Sequence, residues 1–177
     1  MKFNMKLMLF FLFSASIILV ISCRVQSTEG DGRITAKKNI APKTEQVDLS
    51  KFTKRIYVSE RKDGLQKDGS KENPYASIND AVTQLNNLSK DNKAAILVSV
   101  GIYSSETIKL KEYVTLYGGF NSETWERDID KYETVFSGKE GERIIVASDN
   151  TTIDGFTISN AKFRGKGAAI YCDGTSQ

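Results

Sequence analysis

Histidine is absent from all 177 residues, which removes the commonest general base and the commonest metal ligand at neutral pH. Cysteine occurs only at Cys23 and Cys172, too few for a disulfide framework. Proline also occurs only twice, and tryptophan once. Neither sign of charge dominates: 25 basic and 22 acidic residues leave a net charge of +3. That balance offers no electrostatic footprint for nucleic acid, so no nucleic-acid partner is expected. No uncharged apolar run reaches the roughly 20 residues a membrane-spanning helix needs. No cofactor or metal is expected.

The longest apolar run, Leu7 to Ile21, follows a short basic segment carrying Lys2 and Lys6. Its length suits the core of a secretory signal. Taken alone, it is open to three readings: a lipoprotein signal, an ordinary cleaved signal or an uncleaved anchor. The run ends in Val20-Ile21-Ser22-Cys23, which resembles the lipobox of bacterial lipoproteins. The resemblance implies cleavage between Ser22 and Cys23, with acyl chains added at the sulfur and new amino group of Cys23. Two or more acyl chains hold a protein stably on a bilayer. The expected setting is the bacterial cell envelope, with the membrane as a partner through the lipid. Cleavage removes Lys2 and Lys6, so the net charge of +3 falls to +1. Lipidation of Cys23 would leave Cys172 without a partner. In its apolar setting, Ala168 to Cys172, that thiol is expected to be a small buried hydrophobe.

Three segments follow: a signal over 1–22, a tether over 23–54 and a folded domain over 55–177. The tether is polar, contains Pro42 and spaces its few apolar residues without a period. It cannot bury enough surface to offset its ordering entropy. In the domain, Ile78, Ala81, Val82 and Leu85 fall at i, i+3, i+4 and i+7 behind Ser77 as N-cap, which predicts one helix over about 77–88. The rest reads as short strands. These are Arg55 to Ser59, Ala95 to Val100 (closed by Gly101), Thr107 to Leu110, Val114 to Tyr117, Thr134 to Phe136, Ile144 to Val146, Thr152-Ile153, Phe156 to Ile158 and Ala169 to Tyr171. Strands without intervening helices exclude a doubly wound sheet and leave a sandwich, a barrel or a solenoid.

An internal echo favours the solenoid. Val114-Thr115-Leu116-Tyr117-Gly118-Gly119-Phe120 aligns with Asn150-Thr151-Thr152-Ile153-Asp154-Gly155-Phe156, with an insertion from Asn121 to Tyr132 after the first copy. Strand-turn-strand repeats with insertions at turns are what stacked coils require. The ordered set Asn73-Pro74-Tyr75-Ala76-Ser77-Ile78, Ile96 to Tyr103, Val114 to Phe120, Glu126-Arg127-Asp128 and Thr152 to Ile158 resembles the N-terminal part of right-handed parallel β-helix proteins of the pectin-lyase-like superfamily. The likeness covers about Arg55 to Gly174. It implies an all-β fold, a right-handed parallel β-helix of about two to three coils, whose helix caps the N-terminal end. Family members continue for many more coils, so a truncated domain is expected.

The resemblance also implies where chemistry would sit, since β-helix enzymes acting on acidic polysaccharides line one face with carboxylates and bases. Asp149, Asp154 and Asp173 are the weak candidates for such a polysaccharide-facing site, with Arg143, Lys162, Arg164 and Lys166 beside them. Asp149-Asn150 and Asp154-Gly155 are more simply turns, and no residue is assigned a catalytic role. Asp63, Asp68 and Glu72 do not match calcium-loop spacing and read as turn formers. Tyr113, Tyr117, Phe120 and Trp125 gather at the inserted turn and are expected to pack. The sequence therefore points to a surface interaction or adhesion protein facing a polysaccharide or another envelope protein; the alternative is an inactive remnant of a polysaccharide lyase or glycoside hydrolase.

Overall fold

The structure, a computed structural model, describes residues 47–60, 67–104 and 106–172. The signal segment, Ser22, Cys23, residues 24–46 of the expected tether, Asp63 and Asp173 lie outside the described residues. The described chain is mostly strand, in parallel sheets, with a single six-residue helix, in keeping with the all-β class. None of its helices is long and apolar enough to cross a membrane.

Three sheets form, each built of parallel neighbours. The first joins β1 (Lys54–Val58), β2 (Ala94–Ser99), β5 (Val114–Phe120) and β8 (Thr152–Asp154), in that order. The second joins β3 (Gly101–Tyr103), β6 (Thr134–Ser137) and β9 (Thr157–Ser159). The third joins β4 (Ile108–Lys109), β7 (Ile145–Ala147) and β10 (Ile170–Cys172). Parallel neighbours need a crossover between them. Between β1 and β2 the crossover carries α1; from β2 onward it is made of strands of the other two sheets: β3 and β4 separate β2 from β5, and β6 and β7 separate β5 from β8.

The first sheet is covered on both faces, which explains the unbroken apolar run of β2. One face sends Val58, Ala94, Ile96, Val98, Val114 and Leu116 into a core shared with Phe136, Ile108 and Ile145. The other face sends Tyr57, Ala95, Leu97 and Tyr117 into a second cluster with Phe52, Phe120 and Trp125. Val47 and Leu49 pack against that cluster. The expected tether therefore ends earlier than residue 54: Phe52 is buried and Lys54 already belongs to β1. Sparse apolar residues without a period read as disordered, yet three of them cover one strip of sheet.

Other expectations shift by small amounts. The helix, α1, spans Ile78–Thr83 rather than 77–88, with Ser77 Oγ accepting from the N–H of Asn79 as its N-cap. Leu85 is buried beyond the helix end, where its carbonyl accepts from Lys111 Nζ, so the apolar stripe outlasts the helix. α1 packs against β1, β2 and β4. β3 was not expected, because Gly101 reads as a stop; it is instead a corner, with only Val100 between β2 and β3. The echo is out by one residue. The pairs are Thr115 with Thr152, Leu116 with Ile153 and Tyr117 with Asp154, because one slip would turn Ile153 away from the core. Cys172 is exposed rather than buried, on a strand paired on one side only.

At the corner between the first and second sheets the core is polar. The Tyr103 hydroxyl donates to the Ser99 carbonyl (3.1 Å), and the Ser99 hydroxyl donates to the Ser59 hydroxyl (3.0 Å). Thr134 Oγ1 donates to the Ser99 carbonyl and accepts from the N–H of Gly119. Burial pushes the Tyr103 phenol up to about 12 from 10.0, opposed in part by its bond to Ser99. A folded-state pKa raised this way stabilises fully below the unfolded value and is lost as pH rises from 10 towards 12. A shift of that size corresponds to about 3 kcal/mol. Unfolding free energy measured from pH 9 to 12 should therefore fall more steeply in the native chain than in Tyr103→Phe; equal slopes would contradict the buried phenol.

Candidate functional site

The outer face of the first sheet carries two polar features, at opposite ends of β5 and β8. At the C-terminal end, the insertion between β5 and β6 folds back over the sheet. Asn121 Oδ1 accepts from the N–H groups of Glu123 and Thr124, and Asp128 Oδ1 from those of Asp130 and Lys131. These turns lay Trp125 against Tyr57, with ring centroids 4.7 Å apart, and bury Arg127 at 5% exposure.

Arg127 is held from several sides. Its Nε donates to the Gly118 carbonyl (2.9 Å) and its Nη2 to Asp154 Oδ2 (2.8 Å). The guanidinium lies 5.3 Å from the Tyr117 ring centroid and 5.9 Å from that of Phe120. Two glycines make room for it. A Cβ on Gly155, whose φ is +79°, would come within 2.6 Å of Arg127 Nη2, and one on Gly118 within 2.2 Å of the Gly155 carbonyl oxygen. Gly118 and Gly155 thus serve close approach between neighbouring strands, and Gly155 turns the chain as well. Asp154, whose side chain is half exposed, is engaged as the counter-charge of a buried cation.

The remaining acidic candidates are dispersed, whereas the basic ones gather around Phe163. Asp149 sits exposed in the turn before β8, at the other end of that strand from Asp154, and Asp173 lies outside the described residues. Asp68 accepts from Ser70 N–H in a turn. Arg143 is sandwiched between the rings of Phe163 and Tyr171, 4.2 Å from each, and donates to the Lys166 carbonyl. Lys162 and Arg164 flank Phe163 beside a hollow of about 360 Å³. No group of three or more Asp, Glu, Cys or His is placed to hold a metal ion among the described residues. Tyr117, Phe120 and Trp125 pack as expected, while Tyr113 is half-buried and belongs elsewhere.

That place is the second feature, a groove of about 550 Å³ at the N-terminal end of β5 and β8. Lys51, Lys90 and Lys93 line it, with Tyr113 and Asn150 from the turns that start β5 and β8. Phe52 and the hydroxyl-bearing Thr115, Thr151 and Thr152 complete the wall, which contains no carboxylate. Sequence reasoning missed the groove and Arg127 alike. The three lysines come from the expected tether, from a loop and from the residue before β2, and only the stacking register brings them together. Arg127 stood in a quoted Glu-Arg-Asp motif, but nothing in its spacing announces burial.

In comparison with known proteins, no family model, no curated protein and no solved structure matches the chain.

Asp154→Ala strips a buried guanidinium of its counter-charge. Because Asp154 is half exposed the loss is screened, so the cost should be about 2 kcal/mol, below the 3–5 of a fully buried pair. Urea unfolding should show that cost, and none measurable for Asp149→Ala; equal effects would contradict the clamp.

Proposed function

We propose that the chain is an exported, lipid-anchored cell-envelope protein whose body is a short right-handed parallel β-helix acting as a binding module rather than an enzyme. The rotation of strands through three parallel sheets supports the β-helix reading, and the packing of α1 against β1, β2 and β4 supports its role as an N-terminal cap. Stacked layers must hide their terminal faces and strand edges, which gives the cap its purpose. The anchor rests on Ser22-Cys23 behind an apolar signal core.

The observation that carries the binding role is the basic, carboxylate-free groove. It suits an acidic group on an envelope polymer, including an acidic polysaccharide. Against catalysis stands Asp154, the best placed of the acidic candidates, which is committed to Arg127. Hydrolysis of a glycosidic bond needs two free carboxyl groups at a set separation, and Asp149 and Asp154 occupy opposite ends of a strand.

The test uses the mature chain. Mass spectrometry of the membrane fraction should find Cys23 acylated at the N-terminus. A Cys23→Ser version, purified without lipid, should be retained on immobilised acidic envelope polysaccharides and leave their chain length unchanged. Depolymerisation that disappears in a folded Asp154→Asn variant would overturn the non-enzymatic reading, and an unmodified Cys23 would overturn the anchor.

A further inference from the structure

We propose that the groove over the N-terminal ends of β5 and β8 is a binding site for a phosphate group. The inference rests on the binding-module reading and adds the chemistry of the ligand. Lys51, Lys90 and Lys93 line the groove, the Lys51 ammonium 5.2 Å from the Phe52 ring centroid, and no carboxylate stands among the lining residues. The cations are all lysines. An ammonium is a compact point charge with three rotatable donors, and it binds phosphate as such without the fixed fork of arginine. Thr115 and Thr152 add hydroxyl donors and Asn150 an amide, the neutral donors that phosphate oxygens accept from. Asp48, outside the lining, is held ionised by the hydroxyl and the N–H of Ser50 and lies close enough to Lys51 to offset part of its charge, which leaves Lys90 and Lys93 as the groove's cations without a carboxylate in the lining.

A second observation bears on the same wall. Tyr113 and Asn150 occupy the same position in successive layers, one residue before β5 and two before β8, and both hold left-handed backbone, φ 61° and 58°. Asparagine adopts that conformation readily, whereas a tyrosine does so at a steric cost. The backbone need is clear, since the Tyr113 carbonyl accepts from the N–H of Ala94 at 3.1 Å, but Asn or Gly would meet it with less strain. Tyr113 instead lines the groove beside Phe52. Such a conformation is kept for the side chain that it carries: Trp125, φ 58°, is kept for packing, and Tyr113 lies at the groove. The pairing of flat apolar walls with ammonium groups fits a phosphate carried on a larger organic body. A phospholipid headgroup and a phosphate-bearing envelope polymer share that chemistry.

The test uses the mature Cys23→Ser chain and NMR titration with inorganic phosphate, glycerol phosphate and acetate. Saturable shifts confined to Lys93, Tyr113, Asn150 and their neighbours are expected for both phosphates, at least tenfold tighter than for acetate. Lys51→Gln with Lys93→Gln should weaken binding at least tenfold without lowering the Tm. Tyr113→Asn should raise the Tm and still weaken binding, a combination that a purely structural tyrosine would not give. Retention on phosphatidylglycerol vesicles without binding to a glycerol phosphate polymer assigns the headgroup; the reverse assigns the polymer. Diffuse or unsaturable shifts, equal response to acetate, or indifference to the lysine changes would overturn the phosphate site. Binding of a galacturonate oligomer but not of phosphate would overturn it while leaving the binding-module reading in place.

Discussion

The structure depends on one ladder of apolar side chains, Ile56, Ile96, Leu116 and Ile153, stacked in register on the inner face of the first sheet. Side chains alternate across a strand, so a slip of one residue would send the whole set to the outer face. The ladder therefore fixes which residues look outward. Tyr57, Leu97 and Tyr117 are turned out to meet Phe52 and Trp125, and Thr115 and Asp154 are turned out at the two ends of the same strands. Core and surface features follow from a single register.

That register organises the outer face into three zones. Its middle is an apolar cover supplied by the 47–53 segment and the insertion after β5. The C-terminal end of β5 and β8 is pinned by Arg127, which reaches across Gly118 to Asp154. Their N-terminal end stays open as the lysine groove. The acidic candidate is thus engaged in stability while the basic end is left open, and the proposed binding role rests on that contrast. Burial also declines along the stack. β2 is buried throughout, whereas β8, β9 and β10 carry exposed or half-buried residues only.

Much of this was legible in the sequence, because stacked strands leave local marks. Short β-branched runs marked nine of the ten strands, and the i, i+3, i+4, i+7 pattern marked α1. The marks failed where a residue serves two purposes. Gly101 looked like a terminator but is a corner, which hid β3. Gly119-Phe120 and Gly155-Phe156 looked equivalent, but the stacking is set by Leu116 and Ile153, one residue out of step with that alignment. Cys172 looked buried because its neighbours are apolar, yet it lies on a strand paired on one side only. Arg127 and the three lysines were invisible for a different reason. Their meaning comes from contacts across layers, between segments far apart in the chain, and no linear spacing encodes those.

Cysteine pairs measure the register directly. Neighbouring parallel strands lie about 4.8 Å apart, within disulfide reach for residues directly opposite. In a background free of Cys23 and Cys172, Thr115→Cys with Thr152→Cys should close a disulfide under mild oxidation of the folded chain. Thr115→Cys with Thr151→Cys, the pair that the glycine alignment would put opposite each other, should not. Bond formation in the second pair and not in the first would contradict the ladder, and with it the placement of the groove and the Arg127 clamp.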